Sequence, residues 1–375
     1  MSPLDLELGV DLVVTDEPQP SAAPTATDTC FLIQPTVDAG SPTGLVELRS
    51  TAEAKDQFPN EPALLAITDT FFNTGGAHMW VSTLESTPAS AAALFQPQHG
   101  PGQLIAPTVT TAALLEPLKD WCWDTNRVLI ANAADGATDA NLTSLATSLI
   151  DGQSARFAML EADTILIPGV AAGTTREVSA SAVEAALIAR SDIATGNPNL
   201  AAAGNHTPNA GGQADYALGI KAERSATNQQ TLAKAQVNCF RTVNNRVRSY
   251  GYFTLADLDE LPHWWDMSGS RTIMAIRARE EAVAEEMMFS QVDAAGLFLD
   301  RYQGALAGVC AELQRLGAIY GTPQAPGYRV NVSAAVNPLD QVAKGIISAE
   351  IVVKTSPFAG ELKITLTRRA ITAEV

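Results

Sequence analysis

Between Cys30 and Ser191 short apolar runs alternate with helical patterns, and that alternation limits the fold more than any other feature of the chain. "CFLIQPTV", "GLVELRS", "HMWVSTL", "RVLIANAA" and "RFAMLEA" read as strands. "STAEAKDQF", "PALLAITDTFFNTGG", "TAALLEPLKDWCWD", "ATDANLTSLATSLID" and "SASAVEAALIARS" read as helices, the second stopped by Gly75 and Gly76. Such a series predicts a largely parallel, helix-covered sheet of the α/β class. With 375 residues, 46% hydrophobic and only 17% charged, the chain has material for a sizeable core and about two or three domains.

The second half is less regular. Between 194 and 236 the polar, Gly/Asn-rich "TGNPNLAAAGNHTPNAGGQ" predicts a long surface crossing between domains. "QVNCFRTV" and "RVRSYGYFTL" predict a hairpin turning at Asn244 and Asn245. "SRTIMAIRAREEAVAEEMMF" predicts a helix capped by Ser270, with Ile273, Ile276, Val283 and Met287 as its apolar stripe. "DAAGLFLDRYQGALAGVCAELQRLG" continues as helix, and "GYRVNVSA" and "GIISAEIVVKT" are strands.

Both ends carry strand patterns of their own. In "GELKITLTRRAITAEV" the residues Leu362, Ile364 and Leu366 alternate with Lys363, Thr365 and Thr367, the period of a half-buried strand. Arg368 and Arg369 make this end basic. The opposite end, "LELGVDLVV", holds Leu6, Leu8, Val10, Leu12 and Val14 in a β-like piece. It is acidic and hangs on the Pro/Ala/Thr-rich tether "TDEPQPSAAPTATD". Each strand needs a sheet to receive it, within the chain or in another molecule.

Motifs for chemistry are missing. There is no phosphate-loop or G-x-S-x-G pattern, and the histidines fall in no H-E-x-x-H spacing. Neither a cofactor nor a metal is expected, and the acidic helix around Glu280–Glu286 reads as a solvated, internally paired face. A net charge of −17 argues against a nucleic-acid partner. No apolar run reaches the roughly 20 residues of a membrane span. The acidic start "MSPLDLELGVDLVV" does not read as a secretory signal, so folding in a cytoplasm is expected. Cys30, Cys122, Cys239 and Cys310 form no C-x-x-C pair. Buried thiols are the simpler reading, and cross-subunit disulfides in an oxidising medium stay open as the alternative.

In this order the features resemble the contractile tail sheath family of bacteriophages and related injection machines. Four stretches carry the resemblance: "ALLAITDTFFNTGGAHMWVSTL", "AQVNCFRTV" with "SYGYFTL", "SRTIMAIRAREEAVAEEMMF", and the closing "GIISAEIVVKTSPFAGELKITLTRR". The crossing around 205 to 230 departs from the family, with "LGIKAERSATNQQ" where a W-K-x-P-A pattern is common. The resemblance implies an α/β (α+β) subunit without enzymatic activity: an N-terminal arm over 1–27, an outer domain over 28–205, an inner, tube-facing domain over 206–358 and a C-terminal strand arm over 359–375. It implies a helical homo-polymer around a tail tube protein, bounded by baseplate and tail terminator proteins. Such a polymer is assembled in a host cytoplasm and carried in the virion. The arms would exchange strands between neighbours, and Arg271, Arg277 and Arg279 would contact the tube. Two other readings remain, a non-contractile virion structural or adhesion subunit and an α/β enzyme with a ligand pocket at the carboxyl ends of its strands.

Overall fold

The computed structural model describes residues 26–34, 40–83, 87–204 and 211–360. The chain opens with strands β1 (Cys30–Ile33) and β2 (Leu45–Leu48), helices α1 (Thr51–Gln57) and α2 (Pro62–Thr74), and strand β3 (Met79–Ser82). Helix α3 (Pro88–Ala92), β4 (Gln103–Ile105), α4 (Ala112–Asp124), β5 (Val128–Asn132), α5 (Asp139–Leu149) and β6 (Ala158–Glu161) follow. Next come β7 (Thr164–Pro168), β8 (Thr175–Ser179), α6 (Ala180–Thr195), β9 (Gly219–Ile220) and α7 (Ala226–Lys234). Strands β10 (Val237–Asn238), β11 (Phe240–Val243) and β12 (Arg246–Ser249) lead to helices α8 (Met267–Met287) and α9 (Leu297–Arg315). Strand β13 (Tyr328–Asn331), helix α10 (Leu339–Val342) and β14 (Glu350–Val353) complete the described chain.

The expected helix-covered sheet is present, with seven strands in the order β10-β6-β5-β4-β1-β3-β2. All neighbours are parallel except β2, which runs antiparallel to β3 on the edge. Alternate side chains of β1 feed two separate cores: Cys30 and Leu32 pack with α2 and α6, and Phe31 and Ile33 with α3, α4 and α5. That two-sided burial explains why these strands read as continuous apolar runs. Close approach of β4 to β1 depends on Gly102, whose φ is 155° and where a Cβ would stand 2.1 Å from the Thr29 carbonyl oxygen. Helix α6 is buried on every side, from Ala180 through Asp192, and its run of alanines lets it lie close to the sheet.

The structure corrects the expectation for 194–236. Instead of a surface crossing, this stretch contributes β9, helix α7, and buried Ala201, Ala202, Ala214 and Leu232. Strand β9 completes a three-stranded antiparallel sheet, β8-β7-β9, which the sequence reading did not contain. The "QVNCFRTV" stretch divides: β10 joins the large sheet beside β6, and β11 pairs with β12. Asn244 and Asn245 make the turn at φ 52° and 60°, as a two-residue hairpin requires. Helix α8 begins earlier than expected and is capped by Asp266, which accepts the Gly269 N–H at 2.7 Å. Ser270 is buried inside the helix and is not its cap.

The expected division near residue 205 meets no break in packing, because α7 and β10–β12 belong to the first body. The break falls within α8. Its first half, including Met267 and Met274, lies in the main core, and from Ile276 onward the helix belongs to a small second core. There Ile276, Cys310, Leu313, Ala318 and Ile319 hold α8 and α9 under the two-stranded sheet β13–β14.

Candidate functional site

The two ends of the described chain are fastened at one place. At the amino-terminal side, Arg271 of α8 is fully buried, and its guanidinium grips Asp192 of α6 through both nitrogens. The same group donates to the carbonyl oxygens of Pro198 at 3.2 Å and Thr27 at 3.3 Å. The Thr27 hydroxyl donates to Asp192 at 2.5 Å, so the root of the N-terminal segment is held by charge-assisted bonds inside the protein. Burial opposes the arginine's charge, but Asp192 and Tyr252 more than offset it and hold the guanidinium protonated.

On the carboxyl side, Asn199 donates to the Ser356 carbonyl oxygen at 3.0 Å and to the Thr272 hydroxyl at 3.1 Å. Phe358 then packs on Trp265 with ring centroids 4.6 Å apart, and within 6.4 Å of Tyr252 and Phe253. Pro198 and Asn199 are neighbours, as are Arg271 and Thr272, so one loop and one turn of α8 anchor both ends. The arm residues themselves, Leu6, Leu8, Val10, Leu12 and Val14 at one end and Leu362, Lys363, Ile364, Leu366, Arg368 and Arg369 at the other, lie outside the described residues.

Arg271 is therefore corrected as a tube-contact residue: a side chain sealed in an ion pair presents nothing to a partner. Arg277 is part-exposed, pairs with Glu281 at 3.1 Å, and reaches the carbonyl oxygens of Trp123 and Asp124 at the end of α4. Arg279 pairs with Glu312 of α9 at 3.4 Å. Beyond them the turn from α8 into α9, which the sequence reading missed, leaves Met288, Phe289 and Leu297 exposed, and Phe289 has a φ of 60°. Between α8 and α9, burial pushes the Glu280 carboxyl up to about 7.

The sheet β13–β14 is the open element of the second body. Tyr328, Val330, Ile351 and Val353 turn toward the α8–α9 core, and among the described residues each strand has only the other as neighbour. Lys354 donates its N–H to the Gly327 carbonyl oxygen at 2.8 Å. By the two-residue period, Val352 also points its backbone groups toward β13, and Ile351 and Val353 point theirs to the outer edge. A groove lined by Ile276, Glu280, Glu281, Leu306, Ile351 and Val353 runs beside that edge, with a volume near 420 Å³.

All four cysteines are buried and free, and burial raises each thiol's pKa. This corrects the disulfide alternative, since Cys30 lies in a central strand and Cys122, Cys239 and Cys310 are equally enclosed.

The doubly wound sheet does have a crevice at the carboxyl ends of β1, β4 and β5, with a volume near 220 Å³. Gln34, Thr108, Asn132, Asp135, Glu177 and Ser179 line it. Both of its acids are bound to Lys221, Asp135 at 2.6 Å and Glu177 at 2.7 Å, which leaves neither free as a base. Among the described residues no group of His, Cys, Asp or Glu could hold a metal ion.

No protein-family model matches the chain, and no curated protein sequence matches it. Solved structures do, and they define a class: the chain has the fold of the sheath subunits of contractile injection systems. A chain of the anti-feeding prophage baseplate in its contracted state superposes with a TM-score of 0.73 at 17% identity, covering 98% of this chain and 99% of that one. The sheath complex of the extracellular contractile injection system PVC, also contracted, gives 0.72 at 15% identity over 93% and 94%. The sheath tail protein of Desulfitobacterium hafniense gives 0.58 at 9% identity over 86% and 93%. The expected resemblance is thus met at the level of the fold.

Proposed function

We propose that this chain is a structural subunit of a contractile tail sheath, which polymerises helically around a tail tube and shortens to drive the tube through an envelope. The observation that carries the reading is the common anchorage of both termini on α8, within a fold otherwise known from sheath assemblies. A segment whose root is buried and whose further residues carry the alternating sequence pattern of a strand is suited to reach a neighbour while staying tied to its own body. Covalent geometry allows about 3.3–3.6 Å per residue, so residues 1–25 can span roughly 80–90 Å.

Strand exchange follows from charge and edges. The acidic N-terminal strand and the basic C-terminal strand favour each other over self-pairing. Among the described residues the outer edge of β14 has no paired strand and lies beside a groove, which suits addition of an arm from a neighbouring subunit. A head-to-tail contact of this kind does not close on itself and generates a helical polymer. The tube-facing surface belongs to the second body, which begins within α8, with Arg277, Arg279 and the acidic end of α8 as its contacts. The tube, baseplate and terminator proteins are its partners, the assembled virion its place of action, and the role is mechanical, without catalysis.

Sedimentation velocity on the purified full chain tests this. Open-ended polymers are expected, with a size distribution that broadens as concentration rises. A monomer at every concentration, or one closed oligomer of fixed size, contradicts it.

A further inference from the structure

The main core encloses two carboxyl groups that the assembly reading does not use. Glu161 ends β6 and Glu184 lies in the second turn of α6, and both are fully buried. None of their four carboxyl oxygens makes a hydrogen bond of good geometry, although the Ser249 hydroxyl approaches Glu184. The terminal nitrogens of the arginines around them are already committed, and only the Nε groups of Arg190 and Arg271 lack a partner. From α8, Arg271 is bound to Asp192; from α6 itself, Arg190 is bound to Asp215 at 3.1 Å and to the carbonyl oxygens of Gly211 and Gln213 at 2.9 Å. After β6, Asp163 adds a like charge and is bound by Arg224, and Tyr252 presents a buried hydroxyl.

Two buried carboxyl groups, neither bound to a cation, cannot both stay ionised. We propose that Glu161 and Glu184 form a proton-holding pair, a pH-sensitive element that couples the stability of this body to proton uptake beside the anchorage of its N-terminal segment. Burial raises both groups, and the charge of Glu184 raises Glu161 further, whereas Arg271 and Arg190 pull Glu184 the other way. The sign follows by linkage. With folded values above the ordinary carboxyl value of 4.5, stability is full below that pH and is lost as pH rises toward the folded values. The location matters because Glu184 faces Arg271, the residue that also holds Thr27. A second negative charge there competes for that guanidinium.

The test uses the dispersed full chain, so its outcome is independent of whether the chain polymerises. Thermal unfolding is followed from pH 5 to 9 for the natural protein, Glu161→Gln and Glu184→Gln. The pair predicts that the natural protein's Tm falls across this range by several degrees more than that of either variant, and that the variants equal or exceed it at pH 8. Infrared spectra of Glu280→Gln, which removes the other carboxyl that burial pushes up to about 7, should also keep a protonated-carboxyl band at pH 7, lost on unfolding, which serves even if a variant of the pair fails to fold. Parallel pH profiles for folded variants, or no such band, would overturn the proposal.

Discussion

Replacing Arg271 by Ala is expected to cost the fold about 3–5 kcal/mol, because it leaves Asp192 buried without its counter-ion. The effect is large for two reasons. The guanidinium is sealed from water, so its bonds to Asp192 are not screened. It also satisfies the carbonyl oxygens of Pro198 and Thr27, which lose their donor when the side chain is removed. For a chain of this size a loss of that order lowers Tm by roughly 4–6 °C. Arg271→Lys should fall between, since it keeps the charge but loses the planar fork. Exchanging both partners, Arg271→Met with Asp192→Leu, should cost less than the single Ala variant, because no lone charge remains. Scanning calorimetry on the four proteins decides it. A single Ala variant within about 0.5 kcal/mol of the natural protein would show that the anchorage is not built as described, because changes that small are usual at ordinary surface positions.

Val353→Pro should do the opposite: it spares the fold and removes the polymer. Val353 lies on β14, and its backbone groups face the open edge. Proline is tolerated at such a position because no intramolecular bond is lost there. An added strand would lose one backbone hydrogen bond, worth about 1 kcal/mol, and would clash with the ring as well. Together these raise the concentration needed for polymerisation more than tenfold. Turbidity or pelleting against concentration, with Tm as the control for folding, reads both effects. Polymerisation at the natural concentration would exclude this edge as the acceptor.

Most of the large sheet was legible because its strands are buried on both faces. A run such as Val128 to Asn132 has no other economical place than the middle of a helix-covered sheet. The hairpin β7–β8 was not legible, since "TREVS" buries only Val178 and has no apolar alternation to betray a strand. Helix α7 hid for a related reason: "ATNQQTLAK" buries only Gln229 and Leu232, so its period is nearly silent. Arg271 was misplaced because charge was read without position. It stands four residues after Met267 and three before Met274, both buried, and that spacing puts it on the inward face of α8. The rest of the anchorage was beyond the sequence. Thr27 meets Asp192 across 165 positions and Arg271 across 244, and no local pattern records such distant partners. The arms, in contrast, are visible only as patterns, since their residues lie outside those the structure describes.

Terminal segments rooted on α8 are proposed to join one subunit to the next. The most direct test is negative-stain electron microscopy of the purified full chain beside the same chain lacking residues 1–25. Hollow, regularly striated tubes are expected from the full chain, and short fragments or single subunits from the shortened one. Equal tubes from both, or compact monomers from both at high concentration, would contradict this proposal.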